Sequence, residues 1–154
     1  SFNYRLTDFQ SALGMSQSLK LDNFVEKRNL LSKYYDEVIL SQKKSKITPL
    51  KTQEGIDHAR HLYVVKIPTN KLNGGRAKLM DELLKSKIQT QVHYIPIYFQ
   101  PYYQDYFSNN QKFPVAEDYY NLCLSLPLHV QMNREDVVRV VNKTQSIIES
   151  LWIE

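Results

Sequence analysis

At 154 residues, 42% hydrophobic and 23% charged, the chain has the make-up of one soluble globular domain, which excludes disorder over its bulk. Its net charge of +4 is scattered through the chain rather than gathered in a stripe, which argues against a nucleic-acid partner. The lone Cys123 excludes an internal disulfide or a CxxC centre, and no apolar run approaches the roughly 20 residues that span a bilayer.

The opening SFNYRLTDFQ carries no apolar leader and is patterned from its first residues without an initiating methionine, so a segment of a longer polypeptide is expected. Thr7-Asp8-Phe9-Gln10 reads as a capping box, with Asp8 favourable to the helix dipole. Helical periodicity continues to about Leu40, its stripe marked by Phe9, Leu13, Phe24, Leu31, Tyr35 and Val38. Asp22 and Asn23 predict the end of one helix and the cap of the next. Residues 41–60 are polar and lysine-rich and read as a loop or ragged edge.

His61 to Ile67 is rich in β-branched and aromatic residues and predicts a strand stopped by Pro68. Asn73-Gly74-Gly75 reads as a turn, since it lacks both the GxGxxG and the GxxxxGK[ST] frameworks of phosphate loops. A helix from about Arg76 to Lys87 follows, with Met80, Leu83 and Leu84 facing inward. Ile88 to Tyr94 alternates, predicting a strand with Ile88, Thr90, Val92 and Tyr94 on one face and Gln89, Gln91 and His93 on the other. A short helix over about Val115 to Asn121 leads into a strand through Leu122, Leu124 and Leu126, stopped by Pro127. Cys123 there reads as a core residue in a reducing compartment, the cytoplasm. Asn133 caps a last helix, with Glu135 and Asp136 in its first turn and Val137, Val141, Thr144, Ile148 and Leu151 along one face. The order predicts an α+β domain, helices packed on one face of a short three-stranded sheet.

No close metal-ligand spacing links His58, His61, His93 and His129, and nucleophile motifs such as GxSxG are absent. The residues alone therefore hold no complete catalytic or metal site. The unusual stretch is QVHYIPIYFQPYYQDYF, Gln91 to Phe107, which crowds seven tyrosines and phenylalanines beside His93 without a lysine or arginine. Polar donors on a strand beside aromatic faces suit a nucleotide or sugar, and single-stranded nucleic acid would want interleaved cations. A lid on the core, a stacking surface and a partner interface all stay open.

Several separated pieces carry a resemblance. Asn3-Tyr4-Arg5-Leu6-Thr7-Asp8-Phe9-Gln10-Ser11-Ala12-Leu13-Gly14 resembles the NYR-x-(T/S)-x-x-Q-x-A-x-G segment of the DegT/DnrJ/EryC1/StrS sugar aminotransferases, and Leu21 to Tyr35 is similar to the helix that follows it. His61-Leu62-Tyr63, Gln91-Val92-His93-Tyr94-x-Pro96 and Leu124-Ser125-Leu126-Pro127-Leu128-His129 then recur in that family's order and spacing. The QVHYxPxY wording is shared with the branch that aminates a UDP-linked 4-keto-6-deoxy-N-acetylhexosamine on the way to pseudaminic acid. Ile97-Tyr98 stands where many members have Leu-His, and that branch shares the tyrosine.

The resemblance implies the small C-terminal domain of a fold type I pyridoxal-phosphate (PLP) transferase, residues 41–154, with residues 1–40 as the helical segment leading in from the large PLP domain. It implies a homodimer with sites shared between subunits, glutamate as amino donor and a UDP-linked keto-sugar as acceptor. The Schiff-base lysine and its partner aspartate would lie upstream of Ser1, leaving no catalytic residue in this chain. Asn3 matches the asparagine that reaches the cofactor phosphate of the other subunit. Gln91, Val92, His93 and Tyr94 match the stretch lining the nucleotide-sugar site, with Ile95 to Phe107 as its wall and dimer surface. The contrary expectation is a non-catalytic binding or dimerisation module of the same fold.

Overall fold

Two four-residue runs, one at Tyr63–Lys66 and one at Cys123–Leu126, are too short and too apolar to stand alone, and they pair with each other. In the computed structural model, which describes residues 4–107 and 112–153, they form the centre of the fold. Chain order is α1 (Asp8–Ser18), α2 (Leu21–Ser41), β1 (Thr48–Pro49), β2 (Tyr63–Lys66), α3 (Gly75–Lys85), α4 (Pro114–Leu122), β3 (Cys123–Leu126) and α5 (Arg134–Leu151). β2 and β3 run antiparallel with Tyr63 opposite Leu126 and Lys66 opposite Cys123, and β1 adds to the other edge of β2 with Thr48 opposite Lys66.

Three strands are therefore present, but not the three expected. The alternating segment from Ile88 to Tyr94 is extended without being a strand: one bridge joins it to β3, Gln91 to Ser125. Ile88 and Thr90 are buried as alternation requires, yet Tyr94 is 73% exposed, and Pro96 has no N–H to continue a ladder. The third place is taken by Thr48–Pro49, inside the stretch read as loop. A proline is tolerated there because β1 is an edge strand.

The helices cover the sheet through side chains four residues apart, which share one helical face. α2 buries Leu31, Tyr35 and Ile39, α3 buries Leu79 and Leu83, and α5 buries Val137, Val141, Thr144 and Ile148. α5 packs between α2 and α3 and joins them into one core with Val65, Ile67 and Leu124. Burying each large aliphatic chain contributes about 1.5–3 kcal/mol. Leu84, expected inward, is 62% exposed; the inward place belongs to Leu79, one turn before Leu83.

α3 ends at Lys85, earlier than the pattern suggested. The Lys87 N–H donates to the Leu84 carbonyl (2.8 Å) and the Ile88 N–H to the Leu83 carbonyl (2.9 Å), a Schellman closure with Ile88 and Leu83 both buried. Lys87 occupies its left-handed position, φ 59°, where glycine is usual. At the other end Gly74 is left-handed at φ 78°, and a Cβ there would sit 2.7 Å from that of Lys78. Asn73 to Gly75 is thus a turn, tied down by Asn73 N–H to the Leu151 carbonyl at 2.7 Å.

α1 begins with the capping box read from the sequence: Gln10 N–H donates to Thr7 Oγ1 and Thr7 N–H to Gln10 Oε1. It nevertheless buries no residue. Phe9 is 81% and Leu13 55% exposed, so the stripe through them does not join the core. The break between α1 and α2 falls at Leu19 and Lys20; Asp22 and Asn23 lie within α2, where Asp22 is the acid of the first turn.

Candidate functional site

Where β2 begins and β3 ends, the loops from both strands, the extended segment after α3 and the first turns of α5 leave a cleft of about 510 Å³. The local reasons are plain. Pro127 stops β3 and turns the chain toward α5, which delivers His129; the Schellman turn at Lys87 throws residues 88–93 across the edge of β3. Gln91 N–H donates to the Ser125 carbonyl (3.2 Å) and Ser125 N–H to that of Gln91 (2.8 Å), fixing the register of the segment. Tyr35 Oη donates to the Pro127 carbonyl at 2.8 Å, so the floor is tied to α2.

Three of the four histidines, far apart in sequence, line this one cleft: His61, His93 and His129. Lys87 and Arg139 stand at its rim, the Arg139 guanidinium reaching the Ser86 carbonyl at 3.4 Å. Asp136 is the one carboxylate among the lining residues, and it accepts from the Asn133 N–H at 3.0 Å as part of the α5 capping box. The cleft is thus rich in donors and carries two cations against one carboxylate. It suits an anionic, oxygen-rich ligand. No group of three or more His, Cys, Asp or Glu among the described residues is placed to hold a metal ion.

Of the residues singled out in the sequence, Gln91 and His93 meet in the cleft. Val92 is half-buried beside them and Tyr94 points away, its ring edge-on to His93 at 4.6 Å. The His93–Tyr94 peptide bond is cis. Asn3 lies outside the described residues. Sequence reasoning passed over Ser125, Lys87 and Arg139 and gave His61 and His129 no shared role; the only signal was that His61, Ser125 and His129 fall in the quoted family stretches.

Ser125 and His93 have a spacing that resembles a nucleophile and its base, with Oγ 2.8 Å from Nδ1. Ser125 lines the cleft but is only 4% exposed, and no described residue beyond His93 shares its hydroxyl, so the pair lacks the further orienting group of a nucleophilic triad. Cys123 is fully buried with its thiol pushed up by burial, which makes it a core residue rather than a reactive one.

The aromatic run divides in two. Two short 3-10 turns, Ile97–Phe99 and Pro101–Tyr106, fold it back on the start of α4, where Tyr98 meets Phe113 at 4.6 Å and Phe99 at 4.7 Å. Tyr102, Tyr103 and Tyr106 touch one another instead and face outward. The first half is a small satellite core, and the second leaves aromatic faces free.

Helices over a short antiparallel sheet, with a donor-lined cleft at one end and α1 standing off the core, define the α+β fold of the small C-terminal domain of fold type I PLP-dependent transferases. The chain belongs to the DegT/DnrJ/EryC1/StrS aminotransferase family, whose model matches residues 1–145. It is 34% identical over 152 residues to the UDP-4-amino-4,6-dideoxy-N-acetyl-beta-L-altrosamine transaminase of Helicobacter pylori, covering 99% of this chain and 40% of that protein. A solved structure of the Helicobacter pylori aminotransferase involved in the biosynthesis of pseudoaminic acid matches at TM-score 0.86 and 31% identity, over 98% of this chain and 40% of that one. A Streptococcus pneumoniae structure in its PLP-form shares the fold at TM-score 0.83 and 24% identity, over 95% and 36% of the two chains. The chain therefore spans 36–40% of the length of these proteins. No helix among the described residues is long and apolar enough to cross a membrane.

Proposed function

We propose that the chain is the C-terminal domain of a PLP-dependent nucleotide-sugar aminotransferase that moves an amino group from glutamate to C4 of a UDP-linked 4-keto-6-deoxy sugar. The reading includes a cytoplasmic homodimer with shared sites, feeding a surface glycan such as one built on pseudaminic acid. Residues 1–40 lead in from the large domain and 41–154 form the small one. The observation that carries it is the similarity, along 99% of the chain, to a protein named as a UDP-amino-sugar transaminase.

The donor set bears on where the cofactor would sit. A lysine that carries PLP needs a desolvated, depressed amine, and every lysine among the described residues is exposed except the half-buried Lys66 on β2. On this reading the chain forms the edge of such a site and not its centre, and alone it is expected to be inactive. When bound, PLP supplies the electron sink for amino transfer. This chain's share is recognition. Asn3 offers an amide to the cofactor phosphate across the dimer, Gln91 to Tyr94 form the edge of the nucleotide-sugar site, and Ile95 to Phe107 form its wall and dimer surface.

The test is the intact mass of the full-length protein after borohydride treatment with PLP present. One added pyridoxyl phosphate per chain, mapped to a lysine upstream of Ser1, is the expected result. Without an adduct the fold persists without the chemistry, and a non-catalytic binding or dimerisation module becomes the better account.

A further inference from the structure

Ser125 lines the cleft with little of it exposed. Its main-chain N–H and carbonyl both go to Gln91, so only the hydroxyl is free to do anything else. That hydroxyl lies 2.8 Å from His93 Nδ1 and has no second partner among the described residues.

A buried hydroxyl has one proton to give and must give it. With the proton of His93 on Nδ1, the ring would donate to Oγ and the hydroxyl proton would find no acceptor among the described residues. With the hydroxyl donating to Nδ1, both groups are satisfied, and the imidazole proton must reside on Nε2, the ring atom left for the cleft.

We propose that Ser125 is a positioning residue that holds His93 in the Nε2–H tautomer, so that the cleft presents a donor to a carbonyl or phosphate oxygen of the nucleotide sugar. The proposal rests on the reading of the cleft as the nucleotide-sugar edge. The neighbours agree with it: Lys87 and Arg139 are donors only, and the carboxylate of Asp136 is engaged by Asn133. The charged donors of the rim ask for acceptors on the ligand. Ser125 itself acts only through the imidazole.

The experiment uses the full-length protein with ¹⁵N-labelled imidazoles, where long-range ¹⁵N–¹H correlations report which ring nitrogen bears the proton and His93→Gln assigns the signal. The expected wild-type state is Nε2–H. Ser125→Ala mixes the tautomers, and Ser125→Thr, which keeps the hydroxyl, restores one. UDP-N-acetylglucosamine, as the probe, binds about tenfold more weakly to Ser125→Ala and recovers with threonine, while the His61 and His129 signals stay in place. An Nδ1–H ring in the wild type overturns the proposal whatever the enzyme does. Probe affinity indifferent to Ser125→Ala also overturns it and leaves the aminotransferase reading standing. A wild type that binds no probe and takes no pyridoxyl adduct sinks both.

Discussion

The rings of Tyr35 and Tyr63 stack 4.3 Å apart and 17° from parallel, and their hydroxyls leave the stack in different directions. Tyr35 donates to the Pro127 carbonyl at 2.8 Å and Tyr63 to Asp36 Oδ1 at 2.6 Å, so one aromatic pair joins α2 to β2 and to the turn beneath the cleft. Removing each hydroxyl separates these links. Tyr35→Phe loses a neutral hydrogen bond and costs about 1 kcal/mol, whereas Tyr63→Phe strips a carboxylate of its donor and costs roughly 1.5 kcal/mol. Urea unfolding of both variants checks the order; a smaller loss for Tyr63→Phe would mean that water takes over at Asp36.

The same pair makes stability sensitive to alkali. Burial pushes both phenols well above their ordinary value of 10.0, and for Tyr63 the hydrogen bond to Asp36 adds to it. A folded-state pKa raised above the unfolded one gives stability that is whole below pH 10 and is lost as pH rises beyond it, because the unfolded chain releases protons that the folded one keeps. Each phenol contributes a slope of about −1.4 kcal/mol per pH unit there. Urea midpoints should fall between pH 9 and 11.5, the raised Cys123 thiol adding its share from about pH 9. Tyr98 and Tyr119 add theirs with the stacked pair, and Tyr35→Phe should make the fall shallower. An unchanged slope would place the sensitive group elsewhere.

Caps were legible in the sequence and their consequences were not. Thr7 with Gln10 and Asn133 with Asp136 form the same reciprocal pair of hydrogen bonds, each recognisable from residue types three apart. α5 buries seven residues and α1 none. Asn133→Ala should therefore lower the stability of the chain by about 1 kcal/mol. Thr7→Ala should leave its thermal midpoint unmoved, because fraying α1 uncovers nothing. Equal effects from the two caps would show α1 to be coupled to the core.

This contrast explains which parts of the molecule could be read in advance. Periodicity is a local signal, and it located the helices, the burial of Val137, Val141 and Ile148, and the termination of β3 at Pro127. It says that a face is apolar without saying what covers it, which is why Phe9 and Leu13 were expected in the core. β1 was invisible because two residues ending in proline carry no strand signal, and its pairing with Val65 and Lys66 is a tertiary event. The cleft was invisible for the same reason. His61, His93 and His129 meet only because β2 and β3 pair and Gln91 bridges to Ser125.

Lys87 tests whether the rim of that cleft trades stability for recognition. It holds a left-handed conformation at φ 59° that favours glycine, and it lines the same cleft as Arg139. Lys87→Gly removes the clash of Cβ with the backbone and should stabilise the chain by about 1 kcal/mol. In the full-length protein the same change takes one exposed cation from the nucleotide-sugar edge, weakening UDP-sugar binding roughly two- to fivefold at low salt and less as salt rises. Lys87→Asn separates the two effects, since asparagine tolerates the left-handed region while removing the charge. Stability and affinity moving in opposite directions for Lys87→Gly, with affinity alone falling for Lys87→Asn, would mark Lys87 as a residue kept for its charge. A loss of stability in both variants would instead assign the side chain to packing against the C-terminal end of α3.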